Sequence, residues 1–296
     1  MRQPTGRHAT ALETVFVDVP EAAMEAYEAA LGAVCTTVGF FRDEATETWR
    51  IEGVKQAGAD EDRLTTSLLL AAAISGVAAP LRRQATEAGG WLARTRESFP
   101  EQPVGKRFSV RGTHVTTPPL PGRITIHLDA GVAFGSGEHG STRGCLRALE
   151  IVARRRPRRI LDMGTGSGIL ALAAAKLLHR NVLATDIEPW SVRVTTENAA
   201  LNGLGPRVRA RRADGWHDPA VRGGGPYDLV FGNILARPLC AMARDLAVHL
   251  APGGRAILAG LLVSQVRMVL AAHRLHGVVL EAVLHEGRWA TLVLRK

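Results

Sequence analysis

The 296-residue chain is short of cysteine, of aromatic residues and of long apolar runs, and each shortage removes a class of protein. Its three cysteines, Cys35, Cys145 and Cys240, lie far apart with no CxxC spacing. Neither a disulfide framework nor a zinc site is suggested, no metal is expected, and a reducing cytoplasm fits best. The opening MRQPTGRHATA lacks the apolar core of a signal peptide. Leu68 to Ala79, the most apolar later stretch, is too short to span a bilayer and ends at Pro80. Aromatics make up 5% of residues against 46% apolar, and the many alanines suit helices packed closely on a sheet. That balance favours an α/β enzyme over an aromatic-rich sandwich, and the length allows two domains.

The net charge of +9 is unevenly spread. Residues 1–100 carry 10 Lys/Arg against 14 Asp/Glu, and residues 101–296 carry 27 against 14. The front is acidic and the back basic. The runs RRRPRR (154–159) and RVRARR (207–212) have no aromatics between them for base stacking. They read as solvated surface, so no specific nucleic-acid partner is expected.

Along the first hundred residues the pattern predicts β-α-β-β-α-β, the split ferredoxin-like α+β arrangement. Val15, Val17 and Val19 alternate as a strand face; Pro20 opens a helix with Met24, Tyr27 and Leu31 on one side, and Gly32 closes it. Strands are expected over 34–40, 49–54 and 81–86, and a second helix over 62–74. Residues 98–122 are rich in Pro and Gly, with a strand-like stretch at 107–110, and the domain junction is placed there. The expected domains are therefore 1–110, with the linker, and 111–296. From Ile160 onward, strands and helices alternate, which predicts a doubly wound parallel sheet of seven strands, Rossmann-like, ending in an antiparallel pair over 278–284 and 289–294.

The sharpest local signal is Leu161-Asp162-Met163-Gly164-Thr165-Gly166-Ser167-Gly168, after a strand and before a helix. Glycines there let the backbone turn tightly against a ligand, and the helix start offers free N–H groups. The spacing is GxGxG, because position 169 is Ile, so the pyrophosphate-cradling GxGxxG is not matched. Asp186 ends the next strand, where a carboxylate can accept hydrogen bonds from both ribose hydroxyls of an adenosine. Asn233 follows YDLVFG at a strand's carboxyl end, where side chains of open α/β sheets face the reacting centre.

Ala133 to Thr142 (AFGSGEHGST), the LDMGTGSGILALAAAKL stretch and Asn233-Ile234-Leu235-Ala236 together resemble the ribosomal protein L11 methyltransferase family, PrmA. The resemblance spans the catalytic domain, reaches upstream through Val104 to Phe108, and is weaker over the N-terminal domain. The AFGxGxHxxT segment is quite specific to this family, while the GxGxG turn is shared by most class I methyltransferases. It implies a cytoplasmic enzyme that moves methyl groups from S-adenosylmethionine to lysine and N-terminal amines of L11. By matched position it implies that Thr142, Gly164, Asp186 and Asn233 contact the cofactor and that Phe134 and Gly135 line its pocket. Gly166 belongs to the same turn, and Asp214 sits where methyltransferases commonly contact the adenine amino group. Asn233 is the expected catalytic residue, through a hydrogen bond to the amine. Ser136 and Ser141 replace threonines common in the family, and both keep a hydroxyl. His139 reads as a loop-shaping residue rather than a base. The N-terminal domain is expected to select the protein substrate, its acidity attracting a basic partner. A class I methyltransferase acting on RNA or another protein is the alternative reading; the spacing argues against a nicotinamide oxidoreductase, and the Thr142, Asp186 and Asn233 set against a noncatalytic module.

Overall fold

The computed structural model describes residues 12–35, 37–43, 48–86, 101–128 and 139–296. The chain divides into two compact units, Met1–Arg94 and Thr95–Lys296.

The first unit runs β1 (Leu12–Val19), α1 (Met24–Gly32), β2 (Thr37–Asp43), β3 (Thr48–Gln56), α2 (Glu61–Ser75) and β4 (Arg82–Thr86). Its four strands pair antiparallel in the order β2-β3-β1-β4, the ferredoxin-like arrangement that the pattern predicted. Alternation along β1 sends Val15, Val17 and Val19 into the core, where they meet Met24, Tyr27 and Leu31 of α1 and Leu64 and Ala71 of α2. Pro20 precedes a short 3-10 turn, Glu21–Ala23, that feeds α1. The Tyr27 hydroxyl donates to the Val77 carbonyl (2.6 Å) and accepts from the Ala79 amide (3.0 Å), tying the segment before β4 to α1. Lys55 is almost fully buried, and the carboxylates of Glu13 (2.8 Å) and Glu61 (2.7 Å) hold its ammonium. Removal of either would leave a buried charge partly unmatched.

The second unit begins with a small sheet, β5 (Gln102–Val104), β6 (Phe108–Gly112) and β7 (Ile124–Leu128), with β5 antiparallel and β7 parallel to β6. This moves the boundary expected between residues 110 and 111 back to Arg94/Thr95. Val104, Phe108, Val110, Ile126 and Leu128 are buried in one cluster with Leu146, Leu149 and Leu170 of the second unit's main core. The Pro and Gly residues of 98–122 that fall among the described residues mark the turns of this sheet, not a joint between domains.

Then follow α3 (Gly140–Val152), β8 (Ile160–Met163), α4 (Ile169–Leu178), β9 (Val182–Asp186), α5 (Pro189–Leu201), β10 (Val208–Arg212), α6 (Pro219–Gly223), β11 (Tyr227–Asn233), α7 (Ala236–Ala241), α8 (Ala243–His249), β12 (Leu250–Leu262), α9 (Val266–Arg274), β13 (Val279–Glu286) and β14 (Trp289–Arg295). The helical stretch after β11 is two helices, α7 and α8, meeting at Met242. The sheet order is β10-β9-β8-β11-β12-β14-β13, parallel except for β14, which runs antiparallel to both neighbours. Both faces are covered, so successive residues of each central strand serve different cores. Leu229 and Phe231 of β11, Ile257 and Ala259 of β12 and Val293 of β14 pack beneath α3, α4 and α5. Val230, Ala256, Leu258, Leu292 and Leu294 pack against Trp216, Val221, Leu239, Leu246 and Val269 on the other face. The strand order reverses between β8 and its neighbours β9 and β11, which opens a crevice at the carboxyl ends of these three strands.

Candidate active site

The glycine turn leaves β8 at that crevice. Gly164, Gly166 and Gly168 have φ of 70°, 55° and 84°, a region that residues with a Cβ rarely adopt. Space also excludes side chains: a Cβ on Gly164 would overlap Ile234 Cγ2, and one on Gly168 would stand 2.9 Å from Thr195 Cγ2. The turn is pinned from three sides. The Gly164 and Thr165 amides donate to the Thr185 carbonyl (2.8 and 2.9 Å). Thr195 Oγ1 donates to the Gly166 carbonyl (3.1 Å) and Asn198 Nδ2 to the Ser167 carbonyl (2.8 Å).

Asp162 lies beneath the turn, 1% exposed. Its Oδ2 accepts from Thr165 Oγ1 (2.7 Å) and from the Ala171 amide (3.1 Å), while Oδ1 is buried without a partner among the described residues. Burial pushes the carboxyl up to about 6, against the pull of those two hydrogen bonds. Asp186, at the end of β9, braces the turn: Oδ2 accepts from the Gly166 amide (2.9 Å) and Oδ1 from the Glu188 amide (3.0 Å). Each oxygen keeps a further lone pair for a ligand. Ile187 and Trp190 beside it are exposed.

Asn233 is the last residue of β11. Its Nδ2 lies 3.4 Å from Thr142 Oγ1, in the first turn of α3, and its Oδ1 is buried with no hydrogen-bond partner among the described residues. Gly260 of β12, at φ 79°, lets the backbone approach this loop; a Cβ there would be 2.5 Å from the Ile234 carbonyl oxygen. His139 caps α3: its Nδ1 meets Ser141 Oγ (2.7 Å), and its ring lies 4.3 Å from that of Trp289, centroid to centroid. Burial, and then the Arg288 charge, push the imidazole down to about 4, so it is neutral near pH 7.

Of the sequence-predicted residues, Gly164 and Gly166 share one turn that Asp186 braces from β9, and Asn233 and Thr142 share one contact. Asp214 stands after β10 with its carboxylate largely exposed, 3.4 Å from His217 Nδ1. Phe134 and Gly135 lie outside the described residues. Asp162, Gly260 and Trp289 went unselected in the sequence. Asp162 could have been found as the one ionisable group in the buried strand ILDM; Gly260 and Trp289 join the site only through sheet pairing. Among the described residues no group of three or more His, Cys, Asp or Glu is arranged to hold a metal.

The strand order with its terminal antiparallel pair, the GxGxG turn and the carboxylate one strand over define a class I methyltransferase. The sequence profile of the ribosomal protein L11 methyltransferase (PrmA) family matches residues 24–296, and the chain belongs to that family. Among relatives, the ribosomal protein L11 methyltransferase of Bradyrhizobium diazoefficiens is 45% identical over 241 residues, 81% of each chain. That of Rhizobium meliloti is 41% identical over 255 residues, 86% of this chain and 87% of the other. The crystal structure of a ribosomal protein L11 methylase from Lactobacillus delbrueckii subsp. bulgaricus superposes with a TM-score of 0.61 at 31% identity, covering 66% of this chain and 98% of that one.

Proposed function

We propose that the enzyme methylates lysine and N-terminal amino groups of ribosomal protein L11, using S-adenosylmethionine, in the cytoplasm. The observation that carries the reading is the pair of buried, unpartnered acceptors, Asp162 Oδ1 and Asn233 Oδ1, set around a glycine turn with no room for side chains. An unpartnered buried acceptor is costly, and it suits a ligand that brings donors and positive charge. S-adenosylmethionine carries an ammonium and a sulfonium, and a cation nearby favours the ionised form of Asp162. When bound, it supplies an electrophilic methyl group on sulfur. Gly164 and Gly166 would face it with backbone, Asp186 would accept from its ribose hydroxyls, and Thr142 and Asn233 would border the methyl. Phe134, Gly135 and Asp214 remain proposed as cofactor contacts on the family match alone.

The amine must reach the site neutral, since an ammonium has no lone pair and is repelled by a sulfonium. A neutral His139 of such low basicity is a poor acceptor for an ammonium proton, so the proton leaves to solvent before docking. Asn233 Oδ1 then accepts an N–H of the amine and aims its lone pair, while Nδ2 stays on Thr142. The acidic N-terminal unit serves to select the basic protein substrate.

The test is mass spectrometry of purified L11 incubated with the enzyme and S-adenosylmethionine. Gains in steps of about 14 Da, absent with Asp186→Ala, are expected. Asn233→Ala should lower turnover about a hundredfold or more while changing cofactor affinity less. No mass gain despite cofactor binding would reject L11 as substrate; unchanged turnover in Asn233→Ala would remove Asn233 from the chemistry.

A further inference from the structure

We propose that the amino edge of the main sheet, opposite the catalytic edge, is a docking surface for the phosphodiester backbone of RNA. Two adjoining clefts lie there, and Arg156 and Pro157 line both. The first, of about 590 Å³, is lined by Lys106, Arg107, Arg154, Arg156 and Arg180 around a single carboxylate, Glu150. The second, of about 350 Å³, presents Arg155, Arg156 and Arg158 around Asp228. Its remaining cation, Arg255, is paired with Glu281 at 2.9 Å.

What distinguishes this edge from an ordinary solvated face is where its carboxylates are used. Glu150 accepts from the backbone amides of Lys106 (3.0 Å) and Arg107 (2.8 Å). Asp228 accepts from those of Arg158 (2.8 Å) and Arg159 (2.9 Å). Both acids are occupied by main chain, and apart from Arg255 the cationic side chains around them form no ion pair with any described residue. Arg156 also holds a left-handed backbone, φ 52° and ψ 53°, where glycine would be the easier residue. A long cation kept at a strained position between two clefts serves a ligand better than it serves the fold.

The chemistry that fits is a chain of phosphates. Guanidinium forks match phosphate oxygens, and the cations are spread along an edge instead of converging on one point. Aromatics for stacking are absent from both linings, so contacts stay on the backbone and are independent of base sequence. The strands between this edge and the glycine turn are four and five residues long, about 3.3 Å per residue, so the surface is separate from the amine site. RNA is chosen among polyanions because the L11 reading makes the substrate a ribosomal component, and only this choice rests on that reading.

The experiment is fluorescence anisotropy with a labelled oligouridylate of about 20 nucleotides, titrated with the full-length enzyme at several salt concentrations. The wild-type protein should bind at low salt and weaken linearly in log–log form, by about 0.7 in slope for each phosphate contacted. Joint replacement of Arg154, Arg155, Arg156 and Arg158 by Ala should weaken binding at least tenfold and flatten the slope by about 2–3. Methylation of free L11 should be unchanged in that variant, so failure of this proposal and of the L11 reading are read separately. Arg156→Gly guards against misfolding, because it relieves the left-handed backbone: its melting temperature should hold or rise while RNA affinity falls. Wild-type affinity in the fourfold variant, no binding of RNA by the wild-type enzyme at low salt, or binding to phosphatidylglycerol vesicles without binding to RNA would each overturn the proposal.

Discussion

At the residue scale, Asp162 is the costliest ionisable group in the site. A carboxyl raised to about 6 from an ordinary value of 3.8 costs roughly 3 kcal/mol when ionised at neutral pH. The sign follows from proton binding. Between about pH 4 and 6 the folded protein holds a proton there that the unfolded chain has released, so this group's contribution falls as pH rises through that window. Asp162→Asn carries no charge at any pH, and its side-chain oxygen can still accept from Thr165 and Ala171. We expect the melting temperature of the wild-type apo enzyme to climb between pH 7 and 5 more steeply than that of Asp162→Asn. Parallel curves in calorimetry would place the ionisation elsewhere. The sequence carried the glycines, Asp186 and Asn233 in a readable order because each ends a strand next to a turn. It did not single out Asp162, because burial on both sheet faces turns an ordinary aspartate into a perturbed one.

At the element scale, the close approach of β12 to the loop after β11 sets Asn233 and Ile234. Gly260 makes that approach possible, with φ of 79° and an Ile234 carbonyl where a Cβ would go. Gly277 provides the control, since its φ of 77° is equally unfavourable for alanine but its surroundings are open. Gly277→Ala should lose about 1–2 kcal/mol of stability through the backbone alone and keep its activity. Gly260→Ala should lose more stability and, in addition, at least about tenfold in turnover, as the loop carrying Asn233 is pushed aside. Equal activity in the two variants, measured at a temperature where both are folded, would show that the loop position is not set by this contact. Strand and helix assignments were most legible where an apolar run was bounded by Gly, Pro or Asp, as at the glycine turn after β8 and at Asp186 after β9. The pairing of β12 with β11 and β14 was not, since register depends on partners distant in the chain.

At the scale of the whole molecule, the boundary between the units decides which fragments survive. Cutting between residues 110 and 111, as composition suggested, removes the fully buried Val104, Phe108 and Val110 from the catalytic core. Each such side chain contributes about 1.5–3 kcal/mol, a large share of the 5–15 kcal/mol typical of a whole domain. Residues 95–296 should therefore unfold cooperatively and bind S-adenosylmethionine in calorimetry, while residues 111–296 should not fold. The 95–296 fragment should also lose at least about tenfold in kcat/KM for L11 if the acidic unit selects the substrate; full activity would reject that role. Both fold classes, the strand and helix alternation after Ile160 and the glycine turn follow from the sequence alone, because hydrophobic period and turn chemistry are local, whereas β5, β7 and α3 were not read from it. Tertiary structure alone decided that the Pro/Gly segment belongs to the catalytic core, that Asp162 is buried with its carboxyl pKa raised, and that two carboxylates are occupied by main chain beside a line of arginines. Burial and pairing depend on residues far apart in the chain, and no local pattern encodes them.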